Sequence, residues 1–277
     1  MTQAWLYFKY LLLWLVPNPG WMSIALEEEF ARQILGWPQT LGIFGLAIYG
    51  VVAVRLFLKG GRRALLGFAL LGPLLLFLVE FSTVRIQEIF VLYRSYLWMP
   101  CLAAALPFVV GRLPARVAAA GLLLAAIGLA AVTIERLKVF DDPVRLWDDA
   151  IVKAAGSPNR ANLGRLYYQR GRSKVIEGQF AEGLPDLTLA IGLHPRLVAS
   201  HYFRGVAFFE TGQFASALAD FDQMTRMMPN HRRAQLGRAK SLEALGYQAE
   251  ARDAYLATCR MGVPAACDRS SGPGRID

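Results

Sequence analysis

Residues 198–231 read VASHYFRGVAFFETGQFASALADFDQMTRMMPNH, and this stretch decides the fold because its landmarks recur on both sides of it. Gly212 has counterparts at equal intervals before and after it, at Gly178 and Gly246. A fixed period of this length indicates stacked copies of one structural unit, each of which buries its apolar face against its neighbours.

A period of about 34 residues is that of tetratricopeptide repeats, which are pairs of antiparallel helices. The small, aromatic and helix-breaking positions of the quoted copy hold Gly205, Gly212, Ala217, Phe221 and Pro229. We predict three copies within residues 164–267, preceded by a linker and a degenerate leading repeat over 139–163 and followed by a disordered tail over 268–277. Arrays of this kind hold partners and do not usually perform chemistry.

The remainder of the chain is apolar and basic. The whole sequence has 30 Lys and Arg against 21 Asp and Glu, a net charge of +9. Residues 1–138 contribute +6 of this charge and residues 139–277 contribute +3. Because most of the surplus flanks apolar segments, it indicates membrane edges, and nucleic acid is not a predicted partner.

Residues 1–138 contain four segments close to the roughly 20 apolar residues that a membrane-spanning helix needs. They are 41–58, 64–84, 95–111 and 117–134, and a shorter fifth segment covers 4–16. For this fifth segment, a spanning helix and an interfacial helix both remain open. The predicted fold is therefore all-α, a bundle of four or five transmembrane helices followed by a tetratricopeptide solenoid.

Basic loops predict the orientation in the membrane, because short loops rich in Lys and Arg stay in the cytoplasm. Lys59, Arg62 and Arg63 lie in one such loop, and Arg112 and Arg116 lie in another. We expect a multi-pass protein of the bacterial inner membrane with a cytoplasmic N-terminus and periplasmic repeats.

The segment between the third and fourth apolar stretches combines ionisable and aromatic groups at the predicted membrane surface. Its candidate site residues are Glu88, Tyr93, Arg94, Tyr96 and Trp98. A guanidinium with aromatic neighbours suits a phosphate and a sugar face, or a lipid headgroup. The alternative is an interfacial aromatic belt in which Arg94 reaches lipid phosphate.

The run Arg94-Ser-Tyr-Leu-Trp-Met-Pro100 resembles the Arg-Tyr-Leu-Tyr-Leu-Pro signature of the transmembrane-and-TPR O-mannosyltransferases and their bacterial relatives. The order of parts, with repeats after the last apolar segment, is similar as well. The resemblance implies the C-terminal half of a GT-C-type bundle, which in that family transfers a sugar from a lipid phosphate carrier to a protein hydroxyl. A polyprenyl-phosphate sugar is the lipid partner that it implies.

Two departures from that family bear on activity. Tyr93 stands where the family has Glu, and Ser95 is an insertion. The acidic catalytic pair of such enzymes lies in the N-terminal half of the bundle, and the resemblance implies that this sequence corresponds to the part after it. The run Glu27 to Glu29 matches no catalytic motif. We therefore predict no catalytic residue, and we expect no transfer by the chain alone.

The first helix of each repeat is expected, by resemblance to the repeat family, to line a concave groove. The predicted partner-binding residues are Arg165, Tyr168, Arg172, Tyr202, Phe209, Arg233 and Lys240. This surface suits an extended or unfolded polypeptide, because aromatic rings contact backbone and cations steer acidic groups. The alternative is that Tyr168, Tyr202 and Phe209 belong mainly to the core between repeats.

Cysteine and histidine positions complete the candidate list. Cys259 and Cys267 close a short loop after the third copy, on the side predicted to be oxidising, and we predict a disulfide between them. The three histidines lack metal-ligand spacing and are expected on the surface. No metal or cofactor is predicted, since no ligand cluster or phosphate-binding glycine loop is present.

Two functions remain open at this point. One is the C-terminal part of a lipid-phosphate-sugar-dependent protein O-glycosyltransferase, whose periplasmic repeats present the acceptor protein. The other is a membrane-anchored repeat scaffold for envelope, pilus or polysaccharide assembly, without chemistry of its own.

Overall fold

The computed structural model describes residues 2–16, 18, 39–82, 98–111, 113–156 and 159–270. Within these ranges the regular secondary structure is helical and no strand occurs. The prediction of an all-α protein is therefore confirmed. The chain divides into two compact units, Met1–Lys138 and Val139–Asp277, which are described in turn.

The helices of the first unit begin with α1 (Thr2–Leu15), α2 (Gln39–Leu58) and α3 (Gly61–Ser82). They continue with two short helices, α4 (Met99–Ala103) and α5 (Leu106–Val110), and with the long helix α6 (Ala115–Phe140). α2 contacts both α1 and α3. A ring cluster of Tyr7, Tyr10, Phe77 and Trp98 forms the apolar core of this unit.

Glycines set the distance between the first three helices. A Cβ on Gly42 would lie 2.5 Å from the backbone nitrogen of Trp5 in α1, and one on Gly67 would lie 2.3 Å from that of Phe57 in α2. Neither site has room for a side chain. Close backbone approach over small residues is typical of helix packing in lipid, where van der Waals contact drives association.

Two helices within the described residues are long and apolar enough to cross a membrane. They are Thr40–Leu58, with 19 residues and a mean hydropathy of 2.2, and Ala115–Phe140, with 26 residues and a mean hydropathy of 2.4. Ala4–Leu13 is a shorter apolar helix. These findings do not establish the predicted bundle of four or five spans.

The described part of the predicted span over 95–111, residues 98–111, is not a single α-helix. The chain forms the two five-residue helices α4 and α5 there, separated by a turn at Ala104 and Ala105. Pro107 lies in the first turn of α5, where its missing N–H removes no helical hydrogen bond. Ala104 and Ala105 keep right-handed helical φ and ψ angles, so the backbone follows a helical course through this turn.

The second unit is a row of helical hairpins. A leading helix α7 (Pro143–Ala154) packs against α8 (Arg160–Ile176), which pairs with α9 (Phe180–Leu193). The next hairpin consists of α10 (Ala199–Glu210) and α11 (Phe214–Met227), and the third of α12 (Arg232–Ala244) and α13 (Gln248–Arg260). The short helix α14 (Pro264–Ser270) packs on α13.

The glycines that define the sequence period share one backbone conformation. Gly178, Gly212 and Gly246 each follow the first helix of a hairpin and have φ angles of +81°, +78° and +84°. Residues with a Cβ avoid this left-handed region, while glycine adopts it readily. The period therefore marks the turn at which each hairpin reverses direction.

Substituting Gly212 with alanine is expected to destabilise the second hairpin by about 1–2 kcal/mol, the cost of a Cβ in the left-handed region. No atom lies within 4 Å of a Cβ at this position, so the effect comes from the backbone alone. Hydrogen exchange of α10 and α11 peptides measures it. Gly192→Ala is the control, because this helical glycine also faces open space and the change should stabilise α9 by about 0.5–1 kcal/mol.

The structure joins Cys259 and Cys267 by a disulfide, with their Cα atoms 4.8 Å apart. The bond connects the end of α13 to α14, whose Ala266 is buried against Leu242 and Tyr255. Cys267→Ser is expected to weaken the docking of α14 by about 2–3 kcal/mol, the loop-closure contribution of so short a loop. Faster exchange of the 263–270 peptide would report it. A peptide map with both thiols unlinked in oxidised protein would contradict the pairing.

Candidate functional site

A pocket of about 160 Å³ opens between α10 and α12. It is lined by Tyr202, Val206, Phe209, Glu210, Phe221, Arg233, Leu236, Gly237 and Lys240. Four of these nine residues, Tyr202, Phe209, Arg233 and Lys240, are predicted groove residues. The stacking of two successive hairpins thus brings together side chains that are far apart in the sequence.

The floor of the pocket is the ring of Phe221, which is only 2% exposed. A Cβ on Gly237 would lie 2.6 Å from this ring, and one on Gly205 would lie 3.0 Å from it. Glycine at these two positions lets α10 and α12 close over the aromatic ring of α11. The pocket therefore depends on one small residue of the repeat pattern, Gly205, and on Gly237, whose counterpart one repeat earlier is Phe203.

Two residues that line the pocket also belong to the apolar core between the helices. Tyr202 and Phe209 are half-buried and pack against the cluster of Ala217, Phe221 and Met224. The Tyr202 ring also lies 5.1 Å from the ring of Phe203. Burial raises the pKa of Tyr202, and the neighbouring Arg233 guanidinium opposes this shift. The phenol thus remains a neutral hydrogen-bond donor at the pocket edge.

The other predicted groove residues lie on α8, in the first hairpin. Tyr168 is half-buried, with its ring 5.9 Å from that of Phe203. The Arg172 guanidinium lies 5.6 Å from the same ring, at the range of a cation–π contact. Arg165 is exposed. None of these three residues lines the pocket. They form a separate cationic and aromatic part of the surface made by the first helices of the hairpins, α8, α10 and α12.

The groove cations contrast with a second set of arginines that the sequence analysis missed. Arg204 binds Asp220 through two hydrogen bonds of 2.7 and 2.8 Å, and Arg170 contacts Asp186 in the same way one repeat earlier. Both carboxylates are buried. Buried charges persist when they are paired and hydrogen-bonded. The signal that could have revealed these pairs is the recurrence of both partners at the repeat period.

The third hairpin departs from this pattern. Arg238, one repeat after Arg204, donates to Asp222 of the preceding hairpin at 2.6 Å. Ala254 occupies the position that corresponds to Asp186 and Asp220. Without an acid at that position of its own hairpin, the arginine pairs with the neighbouring repeat.

The three histidines, expected on the surface, are only partly exposed. All three are half-buried. His201 Nδ1 lies 2.8 Å from a carboxylate oxygen of Asp220, and His231 accepts a hydrogen bond from the backbone N–H of Ala234 at the start of α12. The Nδ1 atom of His194 is buried without a hydrogen-bond partner. In the described ranges no cluster of His, Cys, Asp or Glu has the geometry of a metal site.

The predicted lipid-phosphate site falls mostly outside the described residues. This applies to Glu88, Tyr93, Arg94 and Tyr96. Trp98 is described, is 2% exposed, and packs with its ring centroid 5.2 Å from that of Tyr7 and 5.8 Å from that of Phe77. In the described structure this indole is part of an aromatic core.

The hairpin geometry agrees with comparisons to known proteins. The family model for the tetratricopeptide repeat matches residues 168–227 and 204–264. Residues 168–264 are tetratricopeptide repeats. The predicted repeat class is confirmed by this match, and repeats of this class are protein-interaction modules.

Solved structures give weaker likenesses. MamA (AMB-1) is 19% identical over 48% of this chain and 75% of its own, with a TM-score of 0.40. A kinesin light chain with nearly identical TPR-like repeats from Podosopora anserina is 16% identical over 79% of this chain and 95% of its own, with a TM-score of 0.37. No curated protein matches the chain significantly.

Proposed function

We propose that the protein is a membrane-anchored scaffold whose tetratricopeptide repeats bind an extended polypeptide along α8, α10 and α12. The observation that carries this proposal is the pocket between α10 and α12, with apolar walls and with Arg233 and Lys240 at its edge. Concave apolar sites with a few placed polar groups are typical binding sites.

The apolar surface of the first unit supports the membrane anchor. None of the described residues of α6 is buried, and Leu123 and Leu124 are 62% and 70% exposed. An apolar surface of this size is unfavourable in water and calls for cover, which lipid provides. Lys59, Arg62 and Arg63 at the turn between α2 and α3 favour the cytoplasmic side for that turn.

The repeats are proposed to lie in the periplasm of a bacterial inner membrane. The basic flanks of α2, α3 and α6 support this orientation, and a disulfide between Cys259 and Cys267 is compatible with an oxidising compartment. Alkaline phosphatase fused after Ser270 should then be active in intact cells. An inactive fusion, with a matching fluorescent-protein fusion that matures in the cytosol, would contradict the orientation.

The binding function is tested with the full chain in nanodiscs of zwitterionic lipid and an array of extended peptides. We expect a subset of peptides to bind, and we expect Tyr202→Ala with Phe209→Ala to reduce binding by more than tenfold, as for residues that anchor an interface. Tyr247→Ala is the control, since this side chain is 52% exposed and does not line the pocket. Equal losses in both variants, or no binding by any peptide, would contradict the function.

The second candidate is the glycosyltransferase role implied by the motif from Arg94 to Pro100, with a polyprenyl-phosphate sugar as the lipid partner. Its support is the resemblance of this motif and the order of membrane segments and repeats. Under this function Arg94→Ala should abolish lipid-phosphate binding while the repeats still bind peptide. If the substitution leaves lipid-phosphate binding unchanged, this candidate is excluded.

A further inference from the structure

The first helices of the three hairpins carry different side chains at corresponding positions. Arg165 and Arg172 of α8 correspond, one repeat on, to Ala199 and Val206 of α10, and after one further repeat to Arg233 and Lys240 of α12. From α8 through α10 to α12, the surface at these positions therefore changes from cationic to apolar and back to cationic. The apolar middle is where the pocket opens.

These four cations are available to a ligand. All of them are exposed, and within the described residues none of them forms an ion pair with an acid. Arg170, Arg204 and Arg238 show the opposite behaviour, since each is bound to an aspartate. The array thus separates arginines that hold the fold from cations that face outward.

The distance between the two cationic helices limits the ligand. α10 contacts α8 on one side and α12 on the other, and packed helices lie about 8–10 Å apart, so α8 and α12 are separated by about 16–20 Å. A polyproline II segment rises about 3.1 Å per residue with three residues per turn, so six residues span about 19 Å. Positions i, i+3 and i+6 of such a segment point to the same side.

We infer that the groove recognises a polypeptide segment with acidic residues at i and i+6 and an apolar residue at i+3, in an extended polyproline II conformation. This inference rests on the proposed function and specifies its ligand. The acidic side chains meet the cations of α8 and α12, and the apolar side chain enters the pocket. An engineered cavity of about 150 Å³ accommodates benzene, so a pocket of about 160 Å³ suits a phenylalanine or leucine side chain.

Among the described residues that line this pocket, Glu210 is the single acid. Its carboxylate repels acidic residues of the peptide that lie next to the apolar residue at i+3. Acidic residues at i and i+6, three positions away, avoid this repulsion. Neutralising this carboxylate with Glu210→Gln should strengthen binding of the patterned peptide. The same substitution should also reduce the preference for acidic residues at i and i+6 over acidic residues beside the apolar one.

The test uses the full chain in zwitterionic nanodiscs and fluorescence anisotropy with three labelled nine-residue peptides of Gly, Ser, Glu and Phe. The first has Glu at positions 2 and 8 and Phe at position 5. The second has the same composition with both Glu residues beside Phe, and the third has Ser in place of Phe. The first should bind about fivefold or more tighter than either of the others, as expected for two exposed ion pairs and one buried ring.

Substitutions of the groove cations test whether those cations cause this preference. Arg172→Ala and Lys240→Ala should each remove most of the preference for separated acids, and Arg172→Lys should keep it. Arg252→Ala is the charge-matched control, because Arg252 is exposed on a second helix of the array and does not line the pocket. Helical circular dichroism checks that each variant is folded.

The outcomes separate the inference from the proposed function. If all three peptides bind equally, or if the preference survives both alanine substitutions, the inference is overturned while peptide binding stands. If none of the three binds although other peptides on the array do, the inference is also overturned. If no peptide of any pattern binds, the proposed function is overturned with it.

Discussion

Replacing Phe221 with alanine is expected to destabilise the second and third repeats by about 3–5 kcal/mol, the usual cost of removing a buried aromatic ring. The ring is 2% exposed and lies beneath Gly205 and Gly237, and its centroid is 6.2 Å from that of Tyr202. Because α10 and α12 both pack on this ring of α11, its loss leaves a cavity that the backbone cannot close. Hydrogen exchange in peptides of α10, α11 and α12 should accelerate by about 100-fold or more.

Two variants serve as controls for this effect. Phe221→Leu retains most of the apolar volume and should cost about 1 kcal/mol. Phe214→Ala removes a half-buried ring that packs on Phe209 at 5.3 Å and should cost less than Phe221→Ala. The assignment of Phe221 as the central packing residue is wrong if exchange accelerates equally in both alanine variants, or only in α11.

Replacing Asp220 with alanine should destabilise the second repeat by about 3–5 kcal/mol, because it leaves the Arg204 charge partly buried without its partner. The side chains of the two residues are 5% and 20% exposed, and two hydrogen bonds join them. His201 loses its partner in the same change. Peptide-resolved hydrogen exchange of α10 and α11 measures the result.

The matched control is Asp222→Ala, two residues further along α11. Its ion pair with Arg238 is more exposed, with side chains 34% and 35% accessible, so its removal should cost less than about 1 kcal/mol. Similar losses for the two variants would show that burial does not determine the strength of these pairs.

Acidic pH offers an independent test of the Asp220 pair. Burial of the carboxyl raises the pKa of Asp220, but hydrogen bonds from Arg204 and His201 outweigh it, and the pKa lies below its ordinary value. The contribution to stability is therefore complete above about pH 4, the range of an unfolded aspartate, and is lost as the pH falls through the lower pKa of the folded state. The difference in exchange between wild type and Asp220→Asn should shrink over that acidic range. A constant difference would contradict this assignment.

Much of the repeat unit could be predicted from residue spacing. The recurrence of Gly178, Gly212 and Gly246 predicted a tetratricopeptide array, and the family match confirms it. The structure adds the reason for the recurrence, which is the positive φ that ends the first helix of each hairpin. Local conformational demands of this kind recur with the repeat and are visible in a single sequence.

Hydropathy was a poorer guide in the first unit. Residues 95–111 are apolar enough to suggest a span, yet the described part forms two five-residue helices. Mean hydropathy measures composition and does not register a turn that interrupts the α-helical hydrogen bonds. By contrast, the apolar segment predicted over 117–134 does lie in one long helix, α6, because nothing in its 26 residues interrupts the helix.

Pairing between side chains was beyond the sequence analysis. The period could not distinguish Arg204, which is held by Asp220, from Arg172, which lies near the Phe203 ring without an acid. The histidines were expected on the surface because they lack metal spacing, but His201 and His231 contact groups that only chain packing brings near them.

The sequence by itself determined the helical class, the repeat period and the turns that reverse each hairpin, because these follow from local backbone preferences and periodic burial. Only the tertiary structure decided which cations have an acidic partner among the described residues and where the pocket over Phe221 opens. Both depend on distances of a few ångströms between different helices. Such distances are set by the packing of side chains across repeats, which a linear spacing does not encode.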